Sequence, residues 1–168
     1  MEKSSLFYKM VWNLNNSNYQ VATECAEQII DIEPKDSEGH AWLAAIYGKK
    51  MEDGAMMDKI TYLPLLEKEV ATALELNPKS ILAKRVNGIR LVYTPEGFGN
   101  NPKIAIEELN YVLEQGIHEA EIYHVIGIAY IQLNNEKEAE NNFRKALECD
   151  SNYTPSIEQL EQLNFKEK

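Results

Sequence analysis

At 168 residues, with 44% hydrophobic and 26% charged side chains, the chain is long enough to bury a core and too apolar to stay disordered. Its net charge of −10 argues against sequence-independent binding to a nucleic-acid backbone or an anionic membrane surface. No run approaches the roughly 18 apolar residues of a spanning helix, so no membrane insertion is expected.

The opening segment "MEKSSLFYKMVW" has no continuous apolar stretch of the kind a signal peptide needs, and the expected location is the cytoplasm. Leu6, Met10 and Leu14 recur at helical spacing, and a second helix carries Ala22, Ala26 and Ile29 before "EPKDS" stops it at 33–37. A third helix follows in "EGHAWLAAIYGKK", and a fourth carries Leu66, Val70 and Ala73 up to "NPKS" at 77–80. The fifth has Gly88 and Leu91, and Asn101-Pro102 starts a sixth with a capping Asn before Pro. Ile122, Ile126, Tyr130 and Leu133 mark the seventh; Asn135 with Glu138 resembles a capping box opening the eighth. Thr154-Pro155 begins the last. No strand-like alternation persists, so the expected class is all-α.

One register runs through these helices. Ala44 and Gly88 each lie ten residues after a proline stop, Pro34 and Pro78, while Ala22 and Leu66 lie twelve before. Gly127 and Ala139 fall in the same frame. In "AEIYHVIGIAYIQLNNEKEAENNFRKALECDSN", the residues Tyr123, Ile126, Gly127, Tyr130, Ala139, Phe143 and Ala146 resemble the tetratricopeptide-repeat signature, with Ser151 where that family usually has Pro. Small residues let paired helices approach closely and large ones fill the space between layers. The resemblance implies a right-handed α-solenoid of about four helix pairs, at about 4–36, 37–80, 81–119 and 120–153, with a capping helix at 154–166, all in one domain over 1–168. It is clearest in the last pair. In the third, Lys84 and Asn87 occupy positions where large apolar residues are expected.

The distance between the two helices of a pair varies: Tyr130 to Ala139 is 9 residues, Leu91 to Ala105 is 14, and Tyr47 to Leu66 is 19. The excess is expected in the turn within each pair, where it bulges without disturbing the stack. "YTPEGFGNN" is then an enlarged turn and not a phosphate loop, since it lacks both the spacing and the preceding strand. It resembles the "TPxxFGG" turn of a bacterial subgroup of tetratricopeptide-like proteins, with Asn100 in place of the second Gly. That resemblance implies an aromatic, Phe98, tucked under the loop. The insertion "MEDGAMMDKITYLP" reads either as helix extension packed on the second pair or as a Met-rich contact surface in Met51, Met56, Met57, Ile60 and Tyr62.

The remaining chemistry is sparse. His40, His118 and His124 lack metal-ligand spacing, Cys25 and Cys149 are too few for a zinc site, and no Ser or Cys carries a nucleophile motif. Glu24/Glu27 and Glu107-Glu108 read as solvated helix faces. No enzyme, metal or cofactor is expected. The expected function is a non-catalytic scaffold for a protein or peptide, with self-association also compatible; the alternative is a small-molecule or transport accessory protein with an apolar groove. The expected surface is a concave groove of Trp42, Ala45, Arg85, Val86, Ile89, His124, Val125 and Ile128, placed by the register on the exposed side of the first helices. Family members that clamp acidic chaperone tails use Lys, Asn and Arg at such positions. Here Ala41, Ala45, Leu82, Val86, Glu121 and Val125 align, and only Arg85 is cationic.

Overall fold

The computed structural model describes residues 2–166, with side chains through Leu163. Met1, Glu167 and Lys168, which the single-domain reading spans, lie outside the described residues. The described residues form α1 (Lys3–Asn15), α2 (Tyr19–Ile32), α3 (Ser37–Asp53), α4 (Met56–Leu76), α5 (Ile81–Tyr93), α6 (Pro102–Glu114), α7 (Ala120–Gln132), α8 (Glu136–Cys149) and α9 (Thr154–Lys166), with no strand among them. Two of the caps read from sequence are present, while Thr154, expected to cap the last helix, lies inside it and its hydroxyl donates to the Asn152 carbonyl oxygen at 3.4 Å. Asn101 Oδ1 accepts from the Ile104 amide at 3.2 Å, and Asn135 Oδ1 accepts from the Glu138 amide at 3.2 Å. The chain divides into two compact units, Met1–Val86 and Asn87–Lys168, the boundary falling within α5.

In the first unit α1 pairs with α2 and α3 with α4, and α3 also packs on α2. Its core gathers Leu6, Met10, Ala22, Cys25, Ala26, Ile29, Leu43, Ala44, Ile46, Tyr47, Leu66 and Val70. Leu6 and Met10, at i and i+4, put one stripe of α1 inward, as the spacing requires. A smaller cluster of Ala41, Ala73 and Ala83 seats the start of α5 against α3 and α4. Polar contacts fix the pairs: His40 Nδ1 lies 2.6 Å from Glu69 Oε2, and its Nε2 lies 3.3 Å from the Pro34 carbonyl oxygen.

The long second pair corrects one expectation. Its extra residues do not form an enlarged turn. They lengthen both helices, so that only Gly54 and Ala55 separate α3 from α4, and α4 runs 21 residues against 14 in α8. The Met-rich segment is therefore helix, and it divides in two. Met51 and Tyr62 pack on the core, Tyr62 stacking on Tyr47 at 5.6 Å with the Lys50 ammonium 4.8 Å from its ring. Met56, Met57 and Ile60 remain 62–71% exposed.

In the second unit α7 packs between α6 and α8, and α9 covers α8. The small residues stand where close approach demands them. A Cβ on Gly127 would lie 2.4 Å from Cε1 of Phe143, and one on Gly88 would lie 2.6 Å from Cγ of Leu109. Segment 94–101 is a turn, as expected, with Gly97 at φ 85° and Gly99 at φ 101°. Asn100 adopts no positive φ and instead ties the turn down: its amide donates to the carbonyls of Leu91 (3.0 Å) and Val92 (3.2 Å) and to Gln132 Oε1 (3.2 Å). Phe98 corrects a second expectation. It is not tucked beneath the loop but stands 73% exposed, because the polar Asn100 supplies the anchor that a buried ring would otherwise give.

Candidate functional site

The first helices of the pairs in the first unit, α1, α3 and the start of α5, share a face. Trp42 and Ala45 lie one turn apart on α3 and are half-buried, as are Arg85 and Val86 on α5. Trp42 and Val86 both rest against the same core cluster. Arg85 already takes part in an interaction and is not a free cation.

Two aromatic residues on α1, outside the groove expected from the sequence, complete this face. Phe7 meets Trp42 edge-to-face at 5.6 Å and 82°, and Tyr8 meets Phe7 at 6.3 Å and 74°. Tyr8, Phe7 and Trp42 thus form a run of three rings joining α1 to α3, with Tyr8 75% and Phe7 38% exposed. Trp12, one turn beyond Tyr8 on α1, is 62% exposed. A signal for them is present in the sequence. Tyr8 lies 34 residues before Trp42, so the register aligns it with a position assigned to this face; Phe7 aligns with Ala41, which the register also put there but which is fully buried in the core cluster with Ala73 and Ala83.

The second unit holds the other expected residues, and two of them are corrected. His124 and Val125 are buried, at 6% and 1% exposure. Helix α7 is apolar nearly all round and buries Ile122, His124, Val125, Ile126, Gly127 and Ala129, so it cannot present a groove-facing side at 124 and 125. The corner between α8 and α9 closes over His124: its Nδ1 lies 3.0 Å from Ser156 Oγ, and its ring lies 5.5 Å from those of Phe143 and Tyr153. Burial pushes the His124 pKa down to about 4, partly countered by Glu121. Ile89 on α5 and Ile128 on α7 are half-buried.

Among the described residues no group of His, Cys, Asp and Glu could hold a metal ion. None of their helices is long and apolar enough to cross a membrane. Cys25 is buried and Cys149 exposed, and both are free thiols.

Paired antiparallel helices in one repeating frame, with small residues at each close contact, define an all-α helical-repeat protein. Residues 120–153 match the family model described as tetratricopeptide repeat. Solved structures extend the likeness over almost the whole chain. A Pseudomonas aeruginosa PilF structure matches with TM-score 0.75 and 17% identity, covering 98% of this chain and 68% of that one. TTC0263, a thermophilic tetratricopeptide-repeat protein of Thermus thermophilus, matches at 0.72 and 16%, covering 98% and 82%. YrrB, described as a tetratricopeptide-repeat protein with an unusual peptide-binding site, matches at 0.61 and 17%, covering 94% and 73%. No curated protein matches the sequence. At these identities the structural likeness is one of fold. The last pair is a tetratricopeptide repeat, and the chain is a protein with the tetratricopeptide-repeat fold.

Proposed function

We propose that the chain is a non-catalytic binding scaffold that holds a peptide segment of a protein partner on the first-helix face of its first unit. The observation that carries this reading is the run of rings Tyr8–Phe7–Trp42, continued by Ala45 and Val86. Large apolar surface left in water at adjacent positions on neighbouring helices tends to mark a binding site, and Trp and Tyr dominate truncation losses at interfaces. The described peptide-binding site of YrrB, a protein of like fold, is in keeping with this use. Free cysteines and an acidic composition fit the cytoplasm as the place of action.

The test is capture from native lysate followed by mass spectrometry, comparing the unaltered chain with Trp42→Ala, Tyr8→Ala and Arg85→Glu, each checked for retained helicity. The reading expects partner recovery to fall in the Trp42 and Tyr8 variants. Undiminished capture by all three folded variants would move the site elsewhere, with the exposed Met56, Met57 and Ile60 stripe of α4 next in line.

A further inference from the structure

The start of α4 is set apart from the rest of its helix. We propose that residues 55–63 form a hinged strap, which opens about Pro64 as one cooperative unit while the remainder of α4 stays folded. Opening lifts Tyr62 away and uncovers the ring of Tyr47. Three observations within the first unit carry this.

The first is the backbone. Pro64 stands inside α4 and has no N–H, so the Ile60 carbonyl lacks the intrahelical donor that residue 64 would otherwise supply. The proline ring crowds that same carbonyl, and prolines are where helices bend. Just before it, Thr61 Oγ1 donates to the Met57 carbonyl oxygen at 2.8 Å, a side-chain bond that competes with the helix ladder and favours bending. At the other end Gly54 and Ala55 are extended, with ψ of 173° and 175°. The segment therefore has a joint at each end.

The second is burial. None of residues 55–65 is buried. Beyond Pro64, Leu66, Glu69, Val70 and Ala73 are all buried, and Glu69 is held to α3 by His40 at 2.6 Å. A helix of about two turns does not hold in water by itself, so the strap depends on its contacts with the rest of the unit.

The third is how those contacts are distributed. They gather on one ring: Tyr62 stacks on Tyr47 at 5.6 Å and 17°, with the Lys50 ammonium 4.8 Å from the Tyr62 ring. The Ala55 amide donates to Asp58 Oδ2 at 2.8 Å, a bond internal to the strap that travels with it. The facing end of α3 is tied elsewhere, because the Tyr19 hydroxyl of α2 donates to Asp53. The α3 side thus stays in place, and release of one stack frees the α4 side. Segments with few buried contacts open at a lower free energy than the whole fold. Tyr47, the ring left behind, is otherwise only 8% exposed.

The experiment is native-state hydrogen–deuterium exchange of the full chain, read amide by amide by NMR. It compares the unaltered protein with Pro64→Ala and Tyr62→Ala, each checked for retained helicity. Amides 60–63 are expected to share one protection within about threefold, and to exchange at least about tenfold faster than amides 70–73. Pro64→Ala returns a donor to the Ile60 carbonyl and should shrink that rate ratio at least about fivefold. Tyr62→Ala should widen it severalfold. Protection that declines residue by residue towards Met56 would show end fraying and overturn the cooperative strap. Equal protection of the two groups would overturn the opening itself. A ratio unchanged by Pro64→Ala would overturn the hinge, and one unchanged by Tyr62→Ala would overturn the stack as its latch.

Discussion

Phe143 of α8 lies across Gly127 of α7 so closely that a Cβ on the glycine would sit 2.4 Å from the ring's Cε1 and 2.6 Å from Cδ1. The obstacle is a fully buried ring, itself 5.5 Å from the ring of His124. Gly127→Leu is therefore expected to destabilise the second unit by about 1–3 kcal/mol through overpacking. Denaturant unfolding followed by far-UV circular dichroism checks this. An unchanged midpoint would mean that the α7–α8 contact is not where the register puts it.

Burial of His124 makes stability depend on pH. Its folded pKa, about 4, lies below the ordinary value of 6.5, so the unfolded chain binds the proton more readily. The contribution is fully present above pH 6.5 and is lost as pH falls from 6.5 towards 4. The loss amounts to about 2 kcal/mol by pH 5. His124→Gln should flatten the corresponding part of the profile. Parallel stability curves for the two proteins between pH 7 and pH 5 would contradict this.

Asn100 gives a third expectation. Restoring the glycine of the resembling turn, Asn100→Gly, removes donors from the Leu91 and Val92 carbonyls at the end of α5 and from Gln132 of α7. A loss of about 1 kcal/mol is expected, from the lost side-chain bonds and the unfolded-state freedom glycine adds, since the Leu91 carbonyl keeps the Asn101 amide and the Val92 carbonyl keeps Gln132 Nε2. A glycine variant as stable as the parent would show that the turn is held by other means.

Acidic C-terminal peptides of the chaperone-tail kind are expected not to bind. The aligned positions carry Ala41, Ala45, Leu82 and Val86, and Arg85 is half-buried and already engaged. A carboxylate clamp needs several oriented cationic donors. Micromolar calorimetric binding of such a peptide at physiological salt would refute this.

What is legible in the sequence is whatever depends on spacing. Gly88, Gly127, Ala139 and Phe143 fall into place because alternating small and large residues at helix contacts leave a periodic trace. Sequence distance between paired helices leaves no such trace: a gap of 19 residues from Tyr47 to Leu66 is the same whether it is a loop or two longer helices. Met56 and Ile60, at i and i+4 after Gly54, are the available hint of helix. The burial of His124 escapes the sequence for a different reason. Its position on α7 follows the repeat, but the residues covering it, Tyr153 and Ser156, belong to the corner after α8. Phe7 and Tyr8 fit the register, yet the first pair declares itself mainly through its second helix, where Ala22, Ala26 and Ile29 carry the clear spacing.

Engagement of a peptide by the aromatic first-helix face of the first unit is what we propose. Its most direct test is backbone NMR of the isotope-labelled chain, titrated with ligands selected from a random peptide library. Amide shifts are expected to concentrate at Phe7, Tyr8, Trp42, Ala45 and Val86, with both tryptophan side-chain signals moving. Shifts confined to the Phe98 turn, or to the Met56–Ile60 stripe of α4, with Tyr8 and Trp42 unmoved, would contradict it.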